Sequence, residues 1–312
     1  GFNEKWFKDD VIVAEQVNPD IRYVDLRLGN LCNLKCRMCN PWSSSMWAKD
    51  WHNIATTTDL LPNEPPTSAE DFEWLDQMAA WPDRKTTGDN FVAMADTIEE
   101  IYLTGGEPTL IKSQYALFDY CIERGISKNI RLKYNTNLTN VPPEMIEYWK
   151  HFKRVQLNAS IDAVGARDRY IRYPSSWNKI EENFNKLRTF DNVNIQVHCT
   201  VQALNICALS ELLDWVEEQG LDINSQIYLN ILNHPARWNI RTLPRELKQL
   251  ADDRLKDYHH IPKLTETLQY MWAEDWYDKH WQDFVKFNSK LDDLHRGNLL
   301  EVCPEFKGYV DE

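Results

Sequence analysis

Six β-type stretches alternate with helical stretches between residues 23 and 232. This alternation predicts an α/β fold with right-handed crossovers and a parallel sheet. Six units are two short of a closed (β/α)8 barrel, so the expected architecture is a partial (β/α)6 TIM-like barrel. From about residue 241 the pattern is helical to the end, which adds a mainly helical C-terminal extension. The expected organisation is an N-terminal lead-in (1–22), a core (23–235) carrying a Trp-rich insertion (41–96), and the extension (236–312).

The elements follow in order. Tyr23–Leu28 alternates as a strand, and Gly29-Asn30 ends it. Within the insertion, Pro-Asn-Glu-Pro-Pro (62–66) reads as loop and 69–81 as helix. Ile98–Thr104 is the second strand, closed by Gly105-Gly-Glu-Pro108; a helix over 113–124 stops at Gly125 in the C-cap position. Strand 130–134 ends in Asn135-Thr-Asn137, and Pro143 opens a helix over 144–151. Strand 154–161, helix 176–190, strand 193–201, helix 209–219 and strand 226–232 complete the alternation. In the extension, Pro244 sits early in one helix, and 265–272 and 281–295 form two more, the last stopped by Gly297.

Composition narrows the class. The chain has 312 residues, 43% of them hydrophobic and 27% charged, with a net charge of −13. Such a surface repels phosphate backbones and argues against general nucleic-acid binding. Arg167, Arg169 and Arg172 leave room for one local basic pocket. No run of about 18 apolar residues suggests a membrane span, and no basic-then-apolar leader is visible. Seven cysteines without a pairing framework suit a reducing cytoplasm. The 13 tryptophans are expected mostly in packing, some lining a substrate cavity.

Cys32, Cys36 and Cys39 form a C-x3-C-x2-C run directly after the first strand. Three thiolates on a four-iron cluster leave one iron open, and a site with an open position does chemistry. A zinc site normally takes four ligands, and the first His after Cys39 is His52. The triad and three further polar motifs all fall at strand ends, where a barrel places its chemistry.

With these motifs in place, residues 23 to about 233 resemble the radical SAM superfamily. The cysteine run resembles the family's cluster loop. Gly105-Gly106-Glu107 resembles its GGE motif, which receives the amino group of S-adenosylmethionine (SAM). Thr136-Asn137 resembles the start of a TNG motif, with Leu138 in place of Gly. Ser160-Ile-Asp162 resembles a motif whose Ser contacts SAM, and Arg172 stands where an Arg pairs with the SAM carboxylate. Met38 and Ile231 occupy positions expected to pack against adenine. The resemblance implies one 4Fe–4S cluster, SAM, an electron from a flavodoxin- or ferredoxin-like donor, and a 5′-deoxyadenosyl radical that abstracts hydrogen. The style is most like the SPASM/twitch-type group, but Cys303 is the extension's only cysteine, so no auxiliary cluster is expected.

Cys199, in the fifth strand, is a candidate hydrogen donor, with a buried core cysteine as the alternative. Cys121 and Cys207 read as structural, and His234 as a possible substrate contact near the mouth. The insertion and the extension are the segments placed to cover that mouth. The expected substrate is a peptide or protein; a small metabolite is the second reading, and a non-catalytic iron–sulfur or zinc protein the third.

Overall fold

The computed structural model describes residues 21–61, 71, 73 and 95–310. Six strands are present: β1 (Tyr23–Arg27), β2 (Glu100–Thr104), β3 (Arg131–Thr136), β4 (Arg154–Ser160), β5 (Val193–Val201) and β6 (Ile227–Ile231). All pair in parallel, and their order in the sheet is their order in the chain. The expected partial barrel is therefore the fold.

The helices among the described residues are α1 (Ala48–Thr57), α2 (Gln114–Glu123), α3 (Pro143–Trp149), α4 (Gly165–Ile171), α5 (Trp177–Leu187), α6 (Leu209–Glu218), α7 (Arg245–Leu255), α8 (Pro262–Ala273), α9 (Tyr277–His295) and α10 (Leu299–Val302). α4 has no counterpart in the sequence reading. Two of its buried residues, Arg167 and Asp168, are charged, so the usual apolar stripe is broken. α8 and α9 start three and four residues earlier than expected. The lead-in over 1–20 and the loop over 62–66 lie outside the described residues; of the helix expected over 69–81, only Asp71 and Glu73 are described, both helical.

Each strand alternates two faces. One carries Ile101, Leu103, Leu132, Val155, Leu157, Ile195, Val197 and Leu229, all buried against the helical layer. The other, the inner face of the barrel, is polar. The pairing register stacks its side chains in rows: Glu100, Arg131 and Arg154; Tyr102, Lys133, Gln156 and Asn194; Asn135, Asn158 and Gln196; then Ser160, His198 and Tyr228. The inner rows of closed barrels are commonly filled by bulky branched side chains. Here the space is open and lined by hydrogen-bonding groups.

The insertion and the extension pack on each other. Trp51 meets Phe287 of α9 at 6.4 Å between ring centroids, and Trp47 meets His295 at 5.7 Å. Trp238, Phe284, Trp281 and Phe306 continue this aromatic core. No helix among the described residues is long and apolar enough to cross a membrane.

Candidate active site

The cysteine loop leaves β1 and is fastened on several sides. Its Lys35 and Arg37 N–H groups donate to the Tyr173 and Ile171 carbonyls at 2.5 and 2.8 Å. The Trp47 indole donates to the Cys36 carbonyl at 3.1 Å, and Ser44 Oγ donates to the Leu34 carbonyl at 2.5 Å. Cys36 is buried; Cys32 and Cys39 are half-buried. Burial, then the neighbouring Cys36, pushes the Cys32 thiol up to about 12. A Cys36–Cys39 hydrogen bond raises Cys36 and lowers Cys39, and Arg172 favours the thiolate at both.

This donor set was tested against the implied cluster. Among the described residues no three His, Cys, Asp or Glu side chains converge on one metal ion. The three thiols are electrostatic neighbours without surrounding a single point. Soft thiolates so arranged, beside one guanidinium, suit a polynuclear iron–sulfur group better than one zinc ion.

The Gly105-Gly106-Glu107 turn lies directly under that loop. Gly106 N–H donates to the Gly29 carbonyl at 3.0 Å, and Glu107 N–H to the Leu31 carbonyl at 2.8 Å. A Cβ on Gly106 would lie 2.3 Å from the Leu31 oxygen, and one on Gly105 2.5 Å from the Gly29 oxygen. Gly105 also has φ +126°, a conformation that L side chains rarely adopt. These two glycines let two backbones touch.

Glu107 is wholly buried and ties β2 to β3. Its Oε1 accepts from Thr109 N, Thr109 Oγ1 and Thr136 Oγ1 at 3.2, 2.7 and 2.8 Å; among the described residues Oε2 accepts only from Asn137 N, at 2.7 Å. Burial raises its pKa, and the donors partly offset this. A carboxylate offers about four lone-pair sites, so Oε2 keeps acceptor capacity. Thr136 and Asn137 thus meet Glu107. Asn137 Nδ2 also donates to Asn33 of the cysteine loop at 2.9 Å. Leu138 keeps a left-handed backbone, φ 55°, although it is not glycine. Its side chain is fully buried, and that burial offsets the strain.

Ser160 is half-buried on the inner face. Asp162 Oδ1 accepts from Thr200 N at 2.7 Å, and Oδ2 lies 2.8 Å from Arg172 Nε. Arg172 Nη1 reaches to 4.0 Å from Cys36 Sγ. The basic pocket left open for Arg167, Arg169 and Arg172 does not form. Arg167 is buried against Glu305 at 2.7 Å, Arg172 pairs with Asp162, and Arg169 Nη1 donates to the Ser175 carbonyl.

Met38 lies within the loop itself; the other candidates come from elsewhere in the chain. Cys199 is buried on the helix-facing side of β5, with Asn205 Nδ2 at 3.6 Å and the Asp162 carbonyl at 3.8 Å; its strand neighbours His198 and Thr200 take the inner face instead. Met38 and Ile231 are partly buried against the core, and His234 is exposed. Cys303 is buried beneath Arg167 Nη1 at 3.1 Å. Cys121 and Cys207 are core residues, as expected.

Two groups escaped the sequence reading. Arg37, inside the cysteine run, is buried and reaches α9. It donates to Asn288 Oδ1 at 2.7 Å and the Tyr170 carbonyl at 2.9 Å, and pairs with Asp292. The other is His198, stacked on Tyr228 at 4.6 Å with Nε2 buried and without a hydrogen-bond partner. Only the alternation of β5 signalled it. Burial, then Lys133, lowers the His198 pKa from 6.5 to about 4.

The unfolded chain therefore binds the extra proton more readily as pH falls from 6.5 towards 4, and stability drops across that window. With His198 partly exposed, the loss should be about 2 kcal/mol. His198→Phe keeps a stacking ring, and urea unfolding at pH 7 and 4.5 should show a smaller loss for it than for the wild type. Equal losses in the two proteins would contradict this assignment.

Comparison with known proteins follows the same lines. GTP 3′,8-cyclase from Mannheimia succiniciproducens is 24% identical over 203 residues, covering 64% of this chain and 51% of the relative. The chain thus spans about half the length of that relative. Among solved structures, anSMEcpe with bound AdoMet aligns with a TM-score of 0.47 and 13% identity, over 79% of this chain and 62% of the other. Streptococcus suis SuiB bound to its precursor peptide SuiA aligns with a TM-score of 0.43 and 14% identity, over 76% and 46%. Residues 26–216, which include the cysteine loop and the Glu107, Thr136 and Ser160 motifs, match the radical SAM superfamily, and the chain belongs to that family.

Proposed function

We propose that this protein cleaves SAM at a 4Fe–4S cluster held by Cys32, Cys36 and Cys39, and uses the radical to take hydrogen from a peptide or protein side chain. The observation that carries the reading is the close fit of Gly105 and Gly106 against the cysteine loop, which ties the ligand loop to Glu107. When bound, the cluster supplies one electron that splits SAM into methionine and a 5′-deoxyadenosyl radical.

The protein's own groups do the positioning. Three thiolates leave one iron open for SAM. Glu107, with its spare acceptor capacity, and the Gly105-Gly106 backbone would receive the SAM ammonium. Ser160 stands on the inner face for a SAM contact, and Met38 and Ile231 supply apolar surface for adenine. Arg172, held by Asp162, places positive charge beside Cys36 and favours its thiolate. Its planar guanidinium would also suit the SAM carboxylate. The electron comes from a flavodoxin- or ferredoxin-like donor, and a reducing cytoplasm suits seven free thiols.

A small metabolite is the second reading, favoured by the polar inner face. Open polar rows suit a compact ligand with several hydrogen-bonding groups. Anaerobic reconstitution with iron and sulfide tests the common chemistry. Reduced, loaded protein is expected to release 5′-deoxyadenosine from SAM, and protein kept free of iron is not. No product from fully loaded protein would reject the proposal. An untargeted comparison of peptides and metabolites, with and without enzyme, then separates the two substrate readings.

A further inference from the structure

The N-terminal half of the barrel's inner face holds a cavity of about 380 Å³, lined by Glu100, Arg131, Lys133, Arg154, Gln156, Asn194 and Gln196. It is distinct from the cysteine loop. Lys133 lies three residues before Thr136 on β3, about 10 Å down the strand at the usual parallel rise. Three cationic side chains meet one carboxylate here, in a chain whose net charge is −13.

That carboxylate is already engaged, since Glu100 Oε2 pairs with Arg131 at 2.7 Å. Lys133 is half-buried and makes no ion pair among the described residues; its ammonium lies 4.9 Å from the centre of the Tyr102 ring. Asp25, on the same face beyond Tyr102, accepts from Thr104 Oγ1 instead. Arg154 also lacks an acidic partner among the described residues. Two amide donors are only lightly used: Gln156 Nε2 reaches the Leu157 carbonyl and Gln196 Nε2 the Tyr228 hydroxyl, each at 3.5 Å, whereas Asn194 Nδ2 is engaged by Gln156 Oε1 at 2.6 Å. The unmatched charge and spare donors call for an anion.

We propose that this cavity is a binding site for a small carboxylate or phosphate group, with Lys133 and Arg154 supplying charge and Gln156 and Gln196 supplying amide donors. Lys133 is half-buried and Arg154 lies exposed at the rim of the cavity; a cation partly withdrawn from water holds an anion more strongly than the same charge on an open surface. Planar Arg154 suits either oxyanion. The site stands whether or not the SAM reading holds, because binding there needs neither cluster nor turnover.

The test is calorimetric titration of the full chain with inorganic phosphate and, separately, citrate, at ionic strength fixed with sodium chloride. At least one anion is expected to bind saturably, and the tighter one identifies the group preferred. Lys133→Gln and Arg154→Gln should each weaken binding about tenfold, the usual loss of one charged hydrogen bond. Lys128→Gln, in an exposed turn on the chain before β3, should bind as the wild type does. If neither anion binds beyond chloride, or if both cavity variants bind like the wild type, the proposal is wrong.

Discussion

Gly106→Ala is expected to remove iron binding as fully as Cys36→Ala, although it takes away no ligand. The added methyl would lie 2.3 Å from the Leu31 carbonyl oxygen and 2.6 Å from the Asn30 carbonyl carbon and oxygen. All are backbone atoms, so no side chain can swing aside. Either the Gly105-Gly106 turn or the cysteine loop must move, and both are pinned. The turn is held by the Gly29 and Leu31 carbonyls, and the loop by Tyr173, Ile171, Trp47 and Ser44.

Overpacking of this severity should cost about 3 kcal/mol or more. Moving the loop by even 1 Å spoils the three-thiolate geometry. Wild-type protein reconstituted anaerobically should hold about four irons per chain, and both variants under one. Thermal unfolding separates the two causes: Cys36→Ala should unfold near the wild-type apo-protein, and Gly106→Ala well below it. Wild-type iron content in Gly106→Ala would overturn the assigned contact.

Arg37→Ala should destabilise the fold by about 3 kcal/mol, at the lower end for breaking a buried pair. Arg37 is 2% exposed and bonds three residues in different directions, Tyr170, Asn288 and Asp292. Its guanidinium also lies 3.6 Å from the centre of the Tyr170 ring. Deletion leaves a cavity and strips Asp292 of its counter-charge. Asp292 retains Tyr170 Oη at 3.1 Å and Leu299 N at 2.9 Å, which holds the loss to the lower figure. Arg37→Lys should recover little, because an ammonium on a single stem does not reproduce the planar fork. Urea unfolding of the apo-proteins measures both. A loss under about 1 kcal/mol in Arg37→Ala would show that α9 and the cysteine loop are not coupled through this residue.

That coupling bears on the extension's role. The insertion and the extension were both expected to cover the barrel mouth. α9 is anchored by Arg37 from inside the cysteine run, and Trp51 of α1 packs on its Phe287. The extension is therefore part of the frame that holds the cysteine loop.

Much of the site was legible because its signals are local. Cys32, Cys36 and Cys39 announce themselves by spacing. Gly105-Gly106, Thr136-Asn137 and Ser160 follow strands whose apolar period is visible in a few residues, and the turn chemistry after each strand is contained in two or three positions. Leu138 shows where local reading stops. It stands where a glycine is expected, yet keeps a left-handed turn because surrounding packing outweighs a local cost of about 1–2 kcal/mol.

The rest depends on which distant residues arrive at the same place. Gly297 reads as a helix stop, but Arg296 takes the left-handed cap; a Cβ on Gly297 would lie 3.1 Å from Arg37 Nη2. Arg37 and Asp292 are 255 positions apart, and no motif joins them. Likewise, Arg167, Arg169 and Arg172 form a basic run in the chain; folding neutralises Arg167 and Arg172 with Glu305 and Asp162 and places Arg169 on a carbonyl. Cationic Arg131 and Lys133 on β3 and Arg154 on β4, unremarkable in the sequence, share a cavity through the pairing register. Periodicity and spacing report a residue's neighbours along the chain, and so they reveal the strands, the turns and the thiolate triad. Whether a charge is matched depends on what the fold carries to it, so the clamp beneath the cluster loop and the unmatched cations inside the barrel emerge only in three dimensions.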